Sequence, residues 1–179
     1  LPKMIRDNLV DGLMLVGVVS ESFVQHISKL NLPAVLVDPR YMQFSFSQVL
    51  IDNEHGAYLA TNYLIQKGHR RIGFVSADLD RLSFQMRFKG YQKALEYHEI
   101  DYDNKWAVNG GLEDGYEHVM RLLTLSNPPT AIFSANDINA IYGYKAVLDK
   151  GLRIPDDISF VGFDDIGLAK ISSPPLTTI

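Results

Sequence analysis

The chain reads as an α/β protein built on doubly wound parallel sheets. Three observations predict this. Strand-like and helix-like segments alternate along nearly all of its 179 residues. The strand-like runs are short and almost wholly apolar, as in Ile72-Gly73-Phe74-Val75, which fits strands buried on both faces. Those runs stop abruptly at a hydrogen-bonding side chain, at Asp38, Asn136 and Asp164, with Asp78 shortly after another. Open α/β sheets place their ligands at the carboxyl ends of their strands.

In order along the chain, Pro2 to Leu9 reads as the end of a helix and Gly12 to Val16 as a buried strand. Glu21 to Leu30 is helical, with Phe23, Ile27 and Leu30 at i, i+4 and i+7, until Pro33 stops it. Ala34 to Val37 is a second strand ending at Asp38, and Pro39 to Ser47 a loop. A strand over Gln48 to Ile51 leads to Asp52 or Asn53, either a good N-cap for a helix running to Lys67 with Gly68 as C′ residue. Arg71 to Ser76 is a strand, and Leu82 to His98 a long helix with Phe84, Phe88, Tyr91 and Leu95 as its apolar stripe. Trp106 to Val108 is a short strand, Glu113 to Leu123 an amphipathic helix, and Ala131 to Ser134 a strand introduced by Pro128-Pro129. Asp137 to Lys150 is the next helix, ended by Gly151, and Ile158 to Phe163 is the strand before a Pro-rich exit. The long polar-aromatic loop breaks this rhythm and puts a domain division near residues 44 to 50. Leu1 opens into a helix-like stretch without a cap and Thr177-Thr178-Ile179 stops inside a strand, so the chain reads as part of something longer.

Composition narrows the function. Apolar residues at 46% and charged residues at 21% are those of a globular domain. With no cysteine, disulfides, thiolate metal sites and cysteine nucleophiles are excluded. The five histidines are scattered without metal-ligand spacing, and the net charge of −4 gives no general attraction for nucleic acid. No run is long enough to span a membrane. GxGxxG, GxxxxGK[ST] and GxSxG are all missing, and no carboxylate spacing selects a general acid and base. The expectation is a binding protein without catalytic residues, metal or cofactor.

The polar residues at the strand ends are the candidates for binding. Parallel strands gather Asp38, Asp78, Asn136 and Asp164 on one edge, where planar amides and carboxylates suit a neutral polyhydroxylated or heterocyclic ligand. Arg87, early on the long helix, brings a fork of donors to the same crevice. Each has a plainer reading. Asn136 and Asp137 are an N-cap pair as readily as a ligand site, and Asp38 before Pro39 fits turn chemistry. Asp52 fits a cap or supporting carboxylate better than a ligand contact. Arg87 on a surface helix is by default a solvated charge. The Asp164-Asp165 pair has no evident helix to cap.

Five stretches together resemble the lactose-repressor/galactose-repressor family of bacterial transcription regulators. They are Val10 to Leu15, Ile51-Asp52-Asn53-Glu54-His55-Gly56-Ala57, Gly68-His69-Arg70-Arg71-Ile72-Gly73-Phe74-Val75, Pro129 to Asp137, and the Pro155-to-Asp165 strand with Pro174-Pro175-Leu176-Thr177-Thr178. The resemblance implies a periplasmic-binding-protein-like fold of two Rossmann-like parallel-sheet lobes. On that template residues 1–47 are a partial, incomplete N-terminal lobe, 48–175 the C-terminal lobe, and 176–179 the start of a crossover back. Effector contacts are implied at Asp38, Arg87, Asn136 and Asp164, with Ser83 nearby and Asp52 in support. The family often places an aromatic residue in a Gly-Asp-aromatic turn after the short strand. Here Asn109-Gly110-Gly111-Leu112-Glu113-Asp114 is shorter and puts Leu112 at that place.

The implied function is that of a cytoplasmic, homodimeric ligand sensor, binding a small-molecule effector such as a sugar between its lobes. It controls DNA contact by a helix-turn-helix headpiece absent from this chain. The alternatives are a periplasmic sugar-binding protein of a transporter, and a sugar- or nucleotide-processing enzyme on a flavodoxin-like sheet.

Overall fold

The structure, a computed structural model, describes residues 1–17, 19–39 and 45–179, and divides the chain into two compact units. Residues 1–52 with 81–83 form the first; residues 53–80 and 84–179 form the second.

The first unit carries α1 (Lys3–Arg6), β1 (Leu13–Val16), α2 (Glu21–Ser28), β2 (Ala34–Val37) and β3 (Ser47–Val49), its strands parallel in the order β1-β2-β3. Ser20 caps α2 by accepting from the N–H of Phe23. The helix is shorter than its apolar spacing predicts. It ends at Ser28, its buried face is Val24 and Ile27, and Leu30 stands outside it, exposed. The strand expected over Gln48 to Ile51 begins one residue earlier, at Ser47, and ends at Val49. Residues 40–44 of the expected Pro39-to-Ser47 loop lie outside the described residues.

The second unit carries α3 (Asn53–Gln66), β4 (Ile72–Ser76), α4 (Leu82–Tyr97), β5 (Ala107–Asn109), α5 (Gly115–Leu123), β6 (Ala131–Ser134), α6 (Asp137–Asp149), β7 (Ser159–Gly162), α7 (Gly167–Ile171) and β8 (Thr177–Thr178). Leu82 and Ser83, the first two residues of α4, group with the first unit. All five strands are parallel, in the order β5-β4-β6-β7-β8. The order reverses at β4, and such a reversal opens a crevice at the carboxyl ends of the strands beside it.

Successive strand residues face opposite sides of the sheet, and two core layers follow from that. On one side Phe74, Phe133 and Val161 pack with Ala57 and Leu64 of α3 and with Tyr91 and Leu95 of α4. On the other, Val75, Ile132 and Phe160 pack with Val119 and Leu122 of α5 and with Ala140 and Val147 of α6. The ring of Phe74 centres the first layer, 5.3 Å from Tyr91 and 5.7 Å from Phe133. The Tyr91 hydroxyl donates to the Ile72 carbonyl at 2.8 Å, and burial pushes its pKa far up, so it remains a donor.

Helix α4 lies close on α3. A Cβ at Gly90 would fall 2.1 Å from the Glu54 carbonyl oxygen and 2.8 Å from Ala57 Cβ. Glu54, flanked by Lys89 and Lys93 of α4, ties the same two helices, and the pairing with those ammonium groups lowers its pKa. This contact fixes the position of α4, and Arg87 stands one turn before Gly90.

Two local features differ from the reading of the sequence. Trp106, expected to open a strand, sits in a 3-10 turn (Asn104–Trp106) that Asp103 caps by accepting from the N–H of Lys105 at 2.9 Å. Its ring is buried and its Nε1 donates to the Asn127 carbonyl at 3.1 Å. Helix α7, with five residues and no side-chain cap, had no signal in the sequence.

Candidate functional site

Helix α4 delivers Arg87 to the carboxyl end of the five-stranded sheet. A charged residue on a helix is exposed by default, yet Arg87 is only 5% exposed. Its Nε donates to Asn53 Oδ1 at 2.8 Å and its Nη1 donates to the Ala135 carbonyl at 2.6 Å. The same Nη1 lies 3.0 Å from Asp164 Oδ1. The guanidinium carbon sits 3.7 Å from the centre of the Phe163 ring and 5.6 Å from that of Phe84. Planar, permanently charged and stacked, the group is locked in one orientation. The plain reading of Arg87 as a solvated surface charge is therefore wrong.

Asp164 follows Phe163 directly, and its side chain is 40% exposed. Its φ is +110° and that of Asp165 is +45°. Side chains other than glycine rarely adopt this region, at a cost of about 1–3 kcal/mol each. The turn is held by the Asp164 N–H donating to the Ile179 carbonyl at 2.9 Å and the Asp165 N–H donating to Thr178 Oγ1 at 3.4 Å. Backbone strain is thus concentrated where the sheet presents its carboxylates.

Asn136 caps α6, as one of its two readings required: its Oδ1 accepts from the N–H of Asn139 at 2.8 Å. Its Nδ2 is buried without a hydrogen-bond partner among the described residues. An unmet donor of this kind costs stability until something accepts from it. The neighbouring Asp137 is fully buried and structural. Its Oδ2 accepts from the Ile166 N–H at 2.9 Å and its Oδ1 from Thr178 Oγ1 at 2.6 Å. Burial pushes its pKa up, and these hydrogen bonds partly offset that. A Cβ at residue 162 would meet Asp137 Oδ1 at 2.1 Å, so only glycine fits there.

The remaining sequence candidates are divided between the two units. Asp38 is in the first unit, directly after β2, with φ +48° and its N–H donating to the Val49 carbonyl at 3.0 Å. Ser83, buried, is the second residue of α4 and groups with the first unit. Asp52 ends the first unit just before α3. Leu112 is exposed in the turn between β5 and α5. Asp78 accepts from the Asp80 N–H at 2.9 Å, a local turn bond.

Within the second unit the structure therefore joins Arg87 to Asp164 and, through the Ala135 carbonyl, to the strand end that carries Asn136. Three side-chain partners were missed from sequence: Asn53, read as a helix cap, and the rings of Phe84 and Phe163. Phe84 stands three residues before Arg87 on one helix, a spacing at which side chains meet. That signal was available; Phe163 and Asn53 had none. Together the groups form a fixed fork of donors, a half-open carboxylate and a buried amide, a set that exchanges paired hydrogen bonds with hydroxyl-bearing molecules.

Comparison with known proteins bears on the family and the fold. The protein family described as periplasmic binding protein-like domain matches residues 61–179. The ribose operon repressor of Haemophilus influenzae is 38% identical over 172 residues, 95% of this chain and 52% of the relative. The HTH-type transcriptional repressor PurR of Mannheimia succiniciproducens is 38% identical over 150 residues, 83% of this chain and 45% of the relative. This chain thus spans about half the length of the curated relatives it matches. The crystal structure of a regulatory protein of the LacI family from Chloroflexus aggregans superposes with a TM-score of 0.89 at 32% identity, over 98% of this chain and 64% of that one. The chain belongs to the periplasmic binding protein-like domain family, in the form carried by LacI-family transcriptional regulators.

Proposed function

We propose that the chain is the ligand-sensing core of a bacterial transcriptional repressor, binding a small effector and thereby controlling operator binding. One observation carries this reading: the buried guanidinium of Arg87, held by Asn53, Ala135 and Asp164 at the carboxyl edge of the sheet. A clamp already fixed in direction loses little freedom when a guest binds, and it rejects guests that leave its groups unpaired.

The effector is a sugar or a related metabolite. The hydrogen-bonding set at the edge supports this, as does the name of the ribose operon repressor among the relatives. Asn136 supplies its unmet amide donor, Asp38 and Ser83 are further contacts, Asp52 supports them, and Leu112 offers an apolar surface. The protein acts in the cytoplasm as a homodimer whose helix-turn-helix headpieces, outside these residues, read a paired operator. Binding shifts operator affinity only through the effector's different affinity for the two states, typically about 1–3 kcal/mol of coupling. The matched relatives are named as repressors rather than as enzymes, and no catalytic role is assigned.

The test is a thermal-shift screen of pentoses, hexoses, sugar phosphates and nucleobases, followed by operator binding of the whole regulator with and without each hit. Arg87→Lys and Asp164→Asn are screened beside the natural chain. The reading predicts that both variants lose most of the shift given by the effector. A hit whose shift survives both substitutions places the pocket elsewhere. A hit that leaves operator binding untouched favours a transport protein instead.

A further inference from the structure

The second unit contains a cavity of about 470 Å³ at the end of the sheet opposite Arg87, where Ser159 opens β7 and Thr177 opens β8. That volume is typical of small-molecule sites. Leu64, Ile154, Phe160 and Pro174 give it apolar walls.

Three polar side chains line it. Tyr144 of α6 is 6% exposed, its ring stands edge-on to Phe160 at 5.1 Å, and its hydroxyl has no hydrogen-bond partner among the described residues. Burial, with the charge of Asp137, pushes the pKa of that hydroxyl up to about 12, so it stays a donor at neutral pH. Lys67, just past the end of α3, holds its ammonium 5.2 Å from the centre of the Tyr63 ring and meets no carboxylate among the described residues. His69 is hydrogen-bonded through Nδ1 to Thr130 Oγ1 at 3.0 Å, and burial lowers its pKa and favours the neutral ring. Among the described residues no Asp or Glu lines the cavity.

We propose that this cavity is a second ligand site, for a small planar organic anion such as an aromatic carboxylate. The ring of the guest packs on the aromatic and proline walls, and its carboxylate takes the ammonium of Lys67 and the hydroxyl of Tyr144. A hydroxyl donor and a cation that meets no carboxylate among the described residues both face this cavity, and a carboxylate accepts from both with its charge matched, which a neutral guest does not achieve. The Arg87–Asp164 site plays no part, and the two sites stand or fall separately.

Benzoate titrated into the full chain, followed by two-dimensional amide NMR, tests this. Saturable binding is expected, with shifts clustered at Lys67, Tyr144 and Ser159. Benzamide, equal in shape but uncharged, should bind about tenfold more weakly or worse. Lys67→Ala should weaken benzoate about tenfold, and Tyr144→Phe severalfold while keeping the ring contact with Phe160. Failure to saturate by about 10 mM overturns the proposal. So does benzamide binding as tightly as benzoate, benzoate affinity unchanged in both variants, or shifts clustered at Arg87 and Asp164.

Discussion

Thr178 donates its hydroxyl to Asp137 at 2.6 Å, so a fully buried carboxylate at the start of α6 holds the last strand of the sheet. The other oxygen of that carboxylate takes the N–H of Ile166, in the turn between β7 and α7. One side chain thus ties α6, that turn and β8 together. The turn carries Asp164, and a site residue is only as well placed as the groups that hold its backbone.

Gly162→Ala tests this anchoring. The new methyl group lands 2.1 Å from Asp137 Oδ1, and neither the carboxylate nor the strand can move without breaking a hydrogen bond. Overpacking of this kind costs roughly 3 kcal/mol. The measurement is the urea midpoint, and an unchanged midpoint would mean that the carboxylate is not fixed.

Arg87 and Asp164 are predicted to contribute unequally. Arg87→Met leaves Asn53 Oδ1, the Ala135 carbonyl and Asp164 without their donor, and is expected to destabilise by about 3–5 kcal/mol. Asp164→Asn keeps an oxygen acceptor but removes the negative charge beside a guanidinium that also bonds Asn53 and Ala135, at a half-open side chain, and should cost about 1 kcal/mol. Chemical denaturation of the two variants gives the order, and the reverse order would contradict the burial assigned to Arg87.

Gly90→Ala forces α3 and α4 apart, because the added carbon meets the Glu54 carbonyl oxygen at 2.1 Å. A loss of roughly 2–3 kcal/mol is expected. Arg87 moves with α4, so the effector-induced thermal shift should fall as well. A variant of natural stability would show that the helices are not in contact at that point.

Stability should fall on mild acidification because of His118. Burial is the main cause that lowers its pKa from 6.5, countered in part by Asp114 and Glu117, and its Nδ1 has no hydrogen-bond partner among the described residues. The unfolded chain takes up the proton first, so the contribution is present above pH 6.5 and is lost as pH falls below it. His69, also lowered by burial, acts in the same direction. Denaturation midpoints above and below pH 6.5 should differ, and His118→Gln should shrink the difference. A variant with the full pH dependence would assign the effect to other groups.

Much of the fold was legible in the sequence because parallel strands buried on both faces must be short apolar runs: β4, β6 and β7 stand where those runs are. Helix ends were legible where Gly68 and Gly151 follow them. What resisted was whatever depends on distant partners. The burial of Arg87 rests on Asn53, 34 residues away, and on Ala135, 48 residues away, and no local pattern announces such pairs. Asp137 looked like half of a capping pair, yet its partner Thr178 lies 41 residues on. The strained turn at Asp164 and Asp165 was equally hidden, since positive φ at aspartate leaves no mark in composition.

Trp106, buried beside β5, is the only tryptophan in the chain and belongs to the second unit. Its emission is therefore an optical label for the five-stranded unit alone, supplied by the natural sequence. Melting of the three-stranded unit passes unseen in that channel, while far-ultraviolet circular dichroism sums over both. Superimposable curves from the two signals would mark a single cooperative transition, and separated curves would give each unit its own melting point.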